Sequence, residues 1–190
     1  MSLSRNILIF GLSLAMASPA AAHVDPVAHG SFAAGFSHPL FGADHVIAML
    51  AVGLWAAATG GRAMLVLPGA FVAAMAAGFA LALSGISLPA VEPMILASVV
   101  VLGVAVALTL RLSLLQSAGI VALFGLFHGA AHGGELGLAG AAGFGAGFVA
   151  ATVLLHLAGL GIGLVLGRSP VALRLAGLTT AAAGVAIALA

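Results

Sequence analysis

Two short runs in this chain hold the residue types that do coordination chemistry. The first is His38-Pro39-Leu40-Phe41-Gly42-Ala43-Asp44-His45. The second is Phe127-His128-Gly129-Ala130-Ala131-His132-Gly133-Gly134-Glu135. Imidazole nitrogen and carboxylate oxygen without thiolate, since the chain has no Cys, suit a borderline first-row divalent ion such as Ni, Co, Cu(II) or Zn. A hard Mg or Ca site would be built from oxygen alone.

Spacing gives these groups a geometry. Pro39 suits the first turn of a helix, which would put His38 at the cap. His38 and His45, seven residues apart, then fall on nearly one face. Asp44 reads either as a ligand or as the acid that orients His45 or His38. His128, His132 and Glu135 stand at i, i+4 and i+7, a single stripe about 10 Å long. Glu92, just before Pro93, is either a third contributor or an acid at the positive end of a helix dipole. Met49 and Met94 offer thioether sulfur nearby. His156, one turn from Thr152, reads as an interhelical hydrogen-bond partner in preference to an exit-path ligand. His23 and His29 read as an outer tail, and Phe71 and Trp55 as packing residues. No catalytic residue and no prosthetic group are assigned.

The segments that must position these residues are apolar. Hydrophobic residues make up 64% of the 190-residue chain and charged residues 5%, against about a quarter charged in a soluble domain. Such a chain cannot cover a water-facing surface, so an all-α integral membrane protein is expected. The absence of Lys excludes a Walker A nucleotide loop and a Schiff-base cofactor. Dispersed Arg and the lack of Tyr give no reason to expect nucleic acid.

Arg5, the apolar run 7–17 and the small residues Ala20-Ala21-Ala22 match a cleavable signal peptide over 1–22. Residues 23–190 then form one transmembrane domain. Gly, Pro and Arg punctuation divides it into six expected helices at 40–59, 63–84, 93–110, 114–135, 141–166 and 171–190. With both mature termini periplasmic, Arg62, Arg111, Arg168 and Arg174 all fall on the cytoplasmic side of a bacterial inner membrane, as the positive-inside rule requires. Asp44, Glu92 and Glu135 fall at the outer side. Gly125, Gly129 and Gly133 form one stripe of small residues, and Gly159, Gly163 and Gly167 another. Both predict close helix packing, within one chain or in a homo-oligomer.

The two histidine runs, in this order on the first and fourth segments, resemble those of the HupE/UreJ family of bacterial nickel and cobalt permeases, and the resemblance extends over essentially the whole chain. It implies uptake of nickel or cobalt as a transported substrate by a small permease, and the absence of a nucleotide motif argues separately against an ATP-driven pump on this chain. It implies metal handling by His38, Asp44, His45, His128, His132 and Glu135. By position within the segments it adds Glu92 and, more weakly, Phe71. Two other classes stay open on the residues alone. One is an intramembrane hydrolase in which His-held zinc activates water. The other is an accessory or sensor subunit that binds metal without moving it.

Overall fold

The computed structural model of the protein describes residues 31–136 and 140–190, with the side chains of Gly134 and Glu135 outside that description. The signal-peptide reading, and with it His23 and His29, lies outside the described residues. Those that are described form helices only: α1 Phe32–Phe41, α2 Ala43–Thr59, α3 Ala63–Leu83, α4 Val91–Ala107, α5 Leu114–Leu136, α6 Ala141–Leu166 and α7 Pro170–Ala188.

Local sequence explains the boundaries. The Ser31 hydroxyl oxygen accepts from the Ala34 N–H at 3.0 Å and starts α1. Ser113 and Gln116 form a reciprocal capping box ahead of α5. Ser169 caps α7, and Pro170 opens it where a missing N–H costs nothing. Gly60, at φ 76°, stops α2 in a backbone conformation that favours glycine.

The expected 40–59 segment is two helices rather than one. Pro39 lies inside α1, near its end, and does not open a helix. Its lack of an N–H weakens the last turn of α1, the helix stops at Phe41, and the chain turns by 87° at Gly42 before α2 begins. His38 therefore sits in the last turn of α1 and is not a cap. His38 and His45 do not share a helical face, because no single helix contains both. The expected 93–110 helix is also shifted: it starts at Val91 after Ala90, whose φ is 58°, and ends at Ala107. Pro93 is accommodated because it still falls in the first turn.

Helices α3, α5, α6 and α7 contain stretches long and apolar enough to cross a bilayer, and the bent pair α1–α2 meets the same test as one unit. Helix α4 is apolar but has 17 residues, about 25 Å of rise. Large apolar side chains, among them Leu65, Leu115, Val165 and Val171, stand open on the outside. The fold is that of a multi-pass membrane protein.

Lipid tails give apolar helices no reason to cluster, so contact depends on close backbone approach. The glycine stripes provide it within the chain. A Cβ on Gly125, Gly129 or Gly133 would strike the backbone of Phe71, Met75 or Phe79, which pairs α5 with α3 in parallel. Gly159 and Gly163 do the same for α6 against Leu50 and Leu54 of α2, also in parallel. Gly167 meets only its own helix. Gly103 and Gly177 press α4 and α7 together in antiparallel fashion. In this arrangement the loops after α2, α4 and α6 share one end of the bundle, and all four described Arg lie at that end, exposed.

Candidate metal centre

At the opposite end, the first turns of α2 meet the last turns of α5. His45 is in the first turn of α2, and its main-chain N–H donates to Asp44 Oδ1 at 2.8 Å. The same oxygen lies 2.8 Å from His45 Nδ1. An ionised carboxylate only accepts, so Nδ1 carries the proton and His45 Nε2 is left with its lone pair. Asp44 thus orients His45, one of the two roles its sequence position allowed.

His45 Nε2 points at His132 Nε2, 2.8 Å away across the α2–α5 contact. With His45 neutral in this tautomer, its Nε2 accepts, His132 Nε2–H donates, and the unpartnered His132 Nδ1 holds a lone pair. His128, one turn before His132 on α5, donates Nδ1–H to the Phe124 carbonyl at 2.9 Å. Its Nε2 is buried and unpartnered. Three lone pairs in one apolar region are thus free of protons or shared by a single hydrogen bond. Each unsatisfied buried polar atom costs on the order of 1–3 kcal/mol, so such a set calls for a function.

The rings form a continuous column. His38 packs edge-on against His132, with centroids 4.4 Å apart, and His132 lies 4.8 Å from His45. His45 lies 5.1 Å from His128. Phe71 follows at 5.2 Å from His128, and His156 at 5.0 Å from Phe71. Phe144 and Phe148 wall the upper part, against His38 and His132. The bend at Gly42 lets His38, on α1, approach His132 from a different direction than His45 does.

Four of the expected site residues, His38, His45, His128 and His132, come together, with Asp44 behind His45. In this packing no three His, Asp or Glu groups among the described residues converge on one point in ligand geometry. The rings instead meet edge to face and through the His45–His132 hydrogen bond, so an ion would have to replace that bond. Glu135 lies in the last turn of α5, and its side chain is outside the described ones.

Glu92 stands apart. It is exposed in the first turn of α4 and lines a pocket of about 410 Å³ with Ala82, Gly85, Ser87, Ala130 and Ala131. Its place in the first turn fits the expected acid at the positive end of the helix dipole, with Ala90 at the N-cap position itself. Trp55 is packing, as expected: it is fully buried, and its Nε1–H donates to the Leu110 carbonyl at 3.3 Å. His156 departs from expectation. Neither of its ring nitrogens has a hydrogen-bond partner.

Phe144, Phe148 and Met75 are contributors that sequence reasoning missed. A signal existed: Phe144, Phe148, Thr152 and His156 recur every four residues on one segment, and Phe71, Met75 and Phe79 on another. Phe71, Phe144 and Phe148 touch histidine rings, Thr152 meets Met75, and Phe79 stacks on Phe144.

A family model described as HupE / UreJ protein matches residues 11–187. Among curated proteins, Protein HupE of Rhizobium leguminosarum bv. viciae is 44% identical over 178 residues, which covers 92% of this chain and 93% of that protein. No solved structure matches the chain.

Proposed function

The chain belongs to the HupE/UreJ family, and from that premise we propose that it is a small permease or facilitator that admits nickel or cobalt across the bacterial inner membrane. The single observation that supports this most is the meeting of His45 and His132, each with a lone pair or proton committed only to the other. A divalent cation would bind the Nε2 atom of each ring as the shared proton moves to the unpartnered His132 Nδ1, and would find His128 Nε2 one turn further in. Nitrogen donors of this kind favour borderline metals over Mg or Ca.

In this reading six passages cross the bilayer, with α1–α2 as one bent passage and α4 as the shortest. The Arg-bearing end faces the cytoplasm, and the histidine end faces the periplasm. Glu92, exposed at a pocket on the histidine end, attracts the hydrated cation before it loses water. Asp44 holds His45 in the tautomer that presents Nε2. His38 and Glu135 complete the entry region. The restriction to nickel or cobalt rests on the resemblance of the two histidine runs, which suits either ion.

The test is accumulation of radioactive Ni²⁺ and Co²⁺ by proteoliposomes containing the full chain. Saturable uptake that Zn²⁺ and Mg²⁺ compete for poorly supports the reading. Binding without accumulation would assign the protein to metal storage or sensing.

A further inference from the structure

His156 is 1% exposed, and both its ring nitrogens are buried without a hydrogen-bond partner. A histidine kept for helix packing usually ties down one nitrogen. His128 does so through the carbonyl four residues before it. His156 has the equivalent carbonyl at Thr152 and makes no bond to it. Its ring is turned edge-on to Phe71 instead, with an interplanar angle of 89°.

The surroundings hold two further donors. Thr152, fully buried one turn from His156 on α6, directs its hydroxyl to the Met75 sulfur at 3.5 Å. Met75 lies one turn from Phe71 on α3 and is buried as well. Imidazole nitrogen, thioether sulfur and hydroxyl oxygen thus line one side of the α3–α6 contact. From the histidine end, rise along each helix puts His132 about 6 Å deep, His128 about 12 Å and His156 about 22 Å. Phe71 lies between the last two, in ring contact with both.

We propose that His156 is a second, inner station for the transported cation, reached past the Phe71 ring, with the Met75 thioether and Thr152 hydroxyl as neighbouring donors. This rests on the uptake reading above. The ligand class is a borderline divalent ion, since a thioether adds nothing for Mg or Ca. An ion that has passed the Phe71 ring then meets nitrogen, sulfur and oxygen donors again within the apolar interior, where an unsolvated charge is costly.

The experiment uses purified full chain with NiCl₂ alone as probe, and reads both bound ions per chain by equilibrium dialysis and uptake by proteoliposomes. Wild type should bind two ions, and His156→Leu one fewer, with uptake falling by at least about tenfold. Met75→Leu should weaken the second ion while leaving the first. His156→Gln, which keeps a polar group and similar volume, covers the case in which His156→Leu does not fold, and should also lose the second ion. Unchanged stoichiometry and uptake in a folded His156 variant would overturn the proposal and leave the nitrogens to bound water. If wild type accumulates no nickel, the uptake reading fails, while the stoichiometry still decides whether His156 binds metal.

Discussion

His45 and His132 are 87 residues apart in the chain, yet their Nε2 atoms lie 2.8 Å apart across the α2–α5 contact. Both residues are nearly buried, at 9% and 6% exposed. The pair can hold one proton between its facing lone pairs, or one metal ion in place of that proton. A metal ion on both Nε2 atoms would send that proton to His132 Nδ1, which has no partner, and acid, which protonates the same lone pairs, should oppose binding.

Removing one ring from this pair should be severe. His132→Ala takes away a donor and leaves His45 Nε2 buried with nothing to accept from. Nickel uptake should fall by a factor on the order of 10–100, while the protein remains in the membrane. Uptake equal to wild type in cells making equal amounts of both proteins would remove His132 from the path.

Asp44→Asn separates the acid's two contacts. An amide oxygen can still accept the His45 main-chain N–H. It no longer supplies the charge that favours Nδ1–H on the ring. Nickel affinity measured by calorimetry should drop by about 10–100-fold with little change in thermal stability. A loss of stability with unchanged affinity would assign Asp44 to the helix start alone.

Gly42 is confined by the same pair. A Cβ there would lie 2.9 Å from His45 Nδ1 and 3.0 Å from Asp44 Oδ1. Gly42→Ala should therefore displace the pair and reduce nickel affinity in the same direction as Asp44→Asn. Its φ of −92° is open to alanine, so the effect should appear in binding more than in folding. An unchanged dissociation constant would show that the pair has room to move.

The glycine stripe offers a test of packing with an internal control. Gly129→Leu would drive a side chain into the Met75 backbone and part α3 from α5. Gly119→Ala, on the same helix, meets nothing within 4 Å and should stabilise by up to about 1 kcal/mol from helix propensity. Thermal unfolding in detergent should separate the two in opposite directions. Equal stability would mean that the α3–α5 contact contributes little.

Glu92 should act on arrival and not on binding. Glu92→Gln should raise the half-saturating nickel concentration for uptake at low ionic strength, and the difference should fade as salt screens the field. A salt-independent loss of bound nickel at equilibrium would instead make Glu92 a ligand.

Much of this protein is legible along its sequence. Composition alone demands a membrane, since so few charges cannot cover a wet surface. The i, i+4 spacing of His128 and His132 puts them on one face because both belong to one unbroken helix. The stripe Gly125, Gly129, Gly133 announces a close contact for the same reason. These are properties of a helical repeat, and a helical repeat is local.

What the sequence could not decide are relations between helices. His38 and His45 seemed to share a face, but Pro39 and Gly42 break that helix, and the two rings meet His132 from different directions. Glu92 reads from the sequence either as a third contributor or as an acid at a helix start, and it stands at a pocket whose walls come from α3, α4 and, at Ala130 and Ala131, α5. His156 seemed to be tied by a hydrogen bond, and only the packed interior shows that it has none. Residue type and period determine which groups a helix presents. Which groups then meet is decided by backbone contacts between helices far apart in the sequence, and those exist only once the bundle has closed.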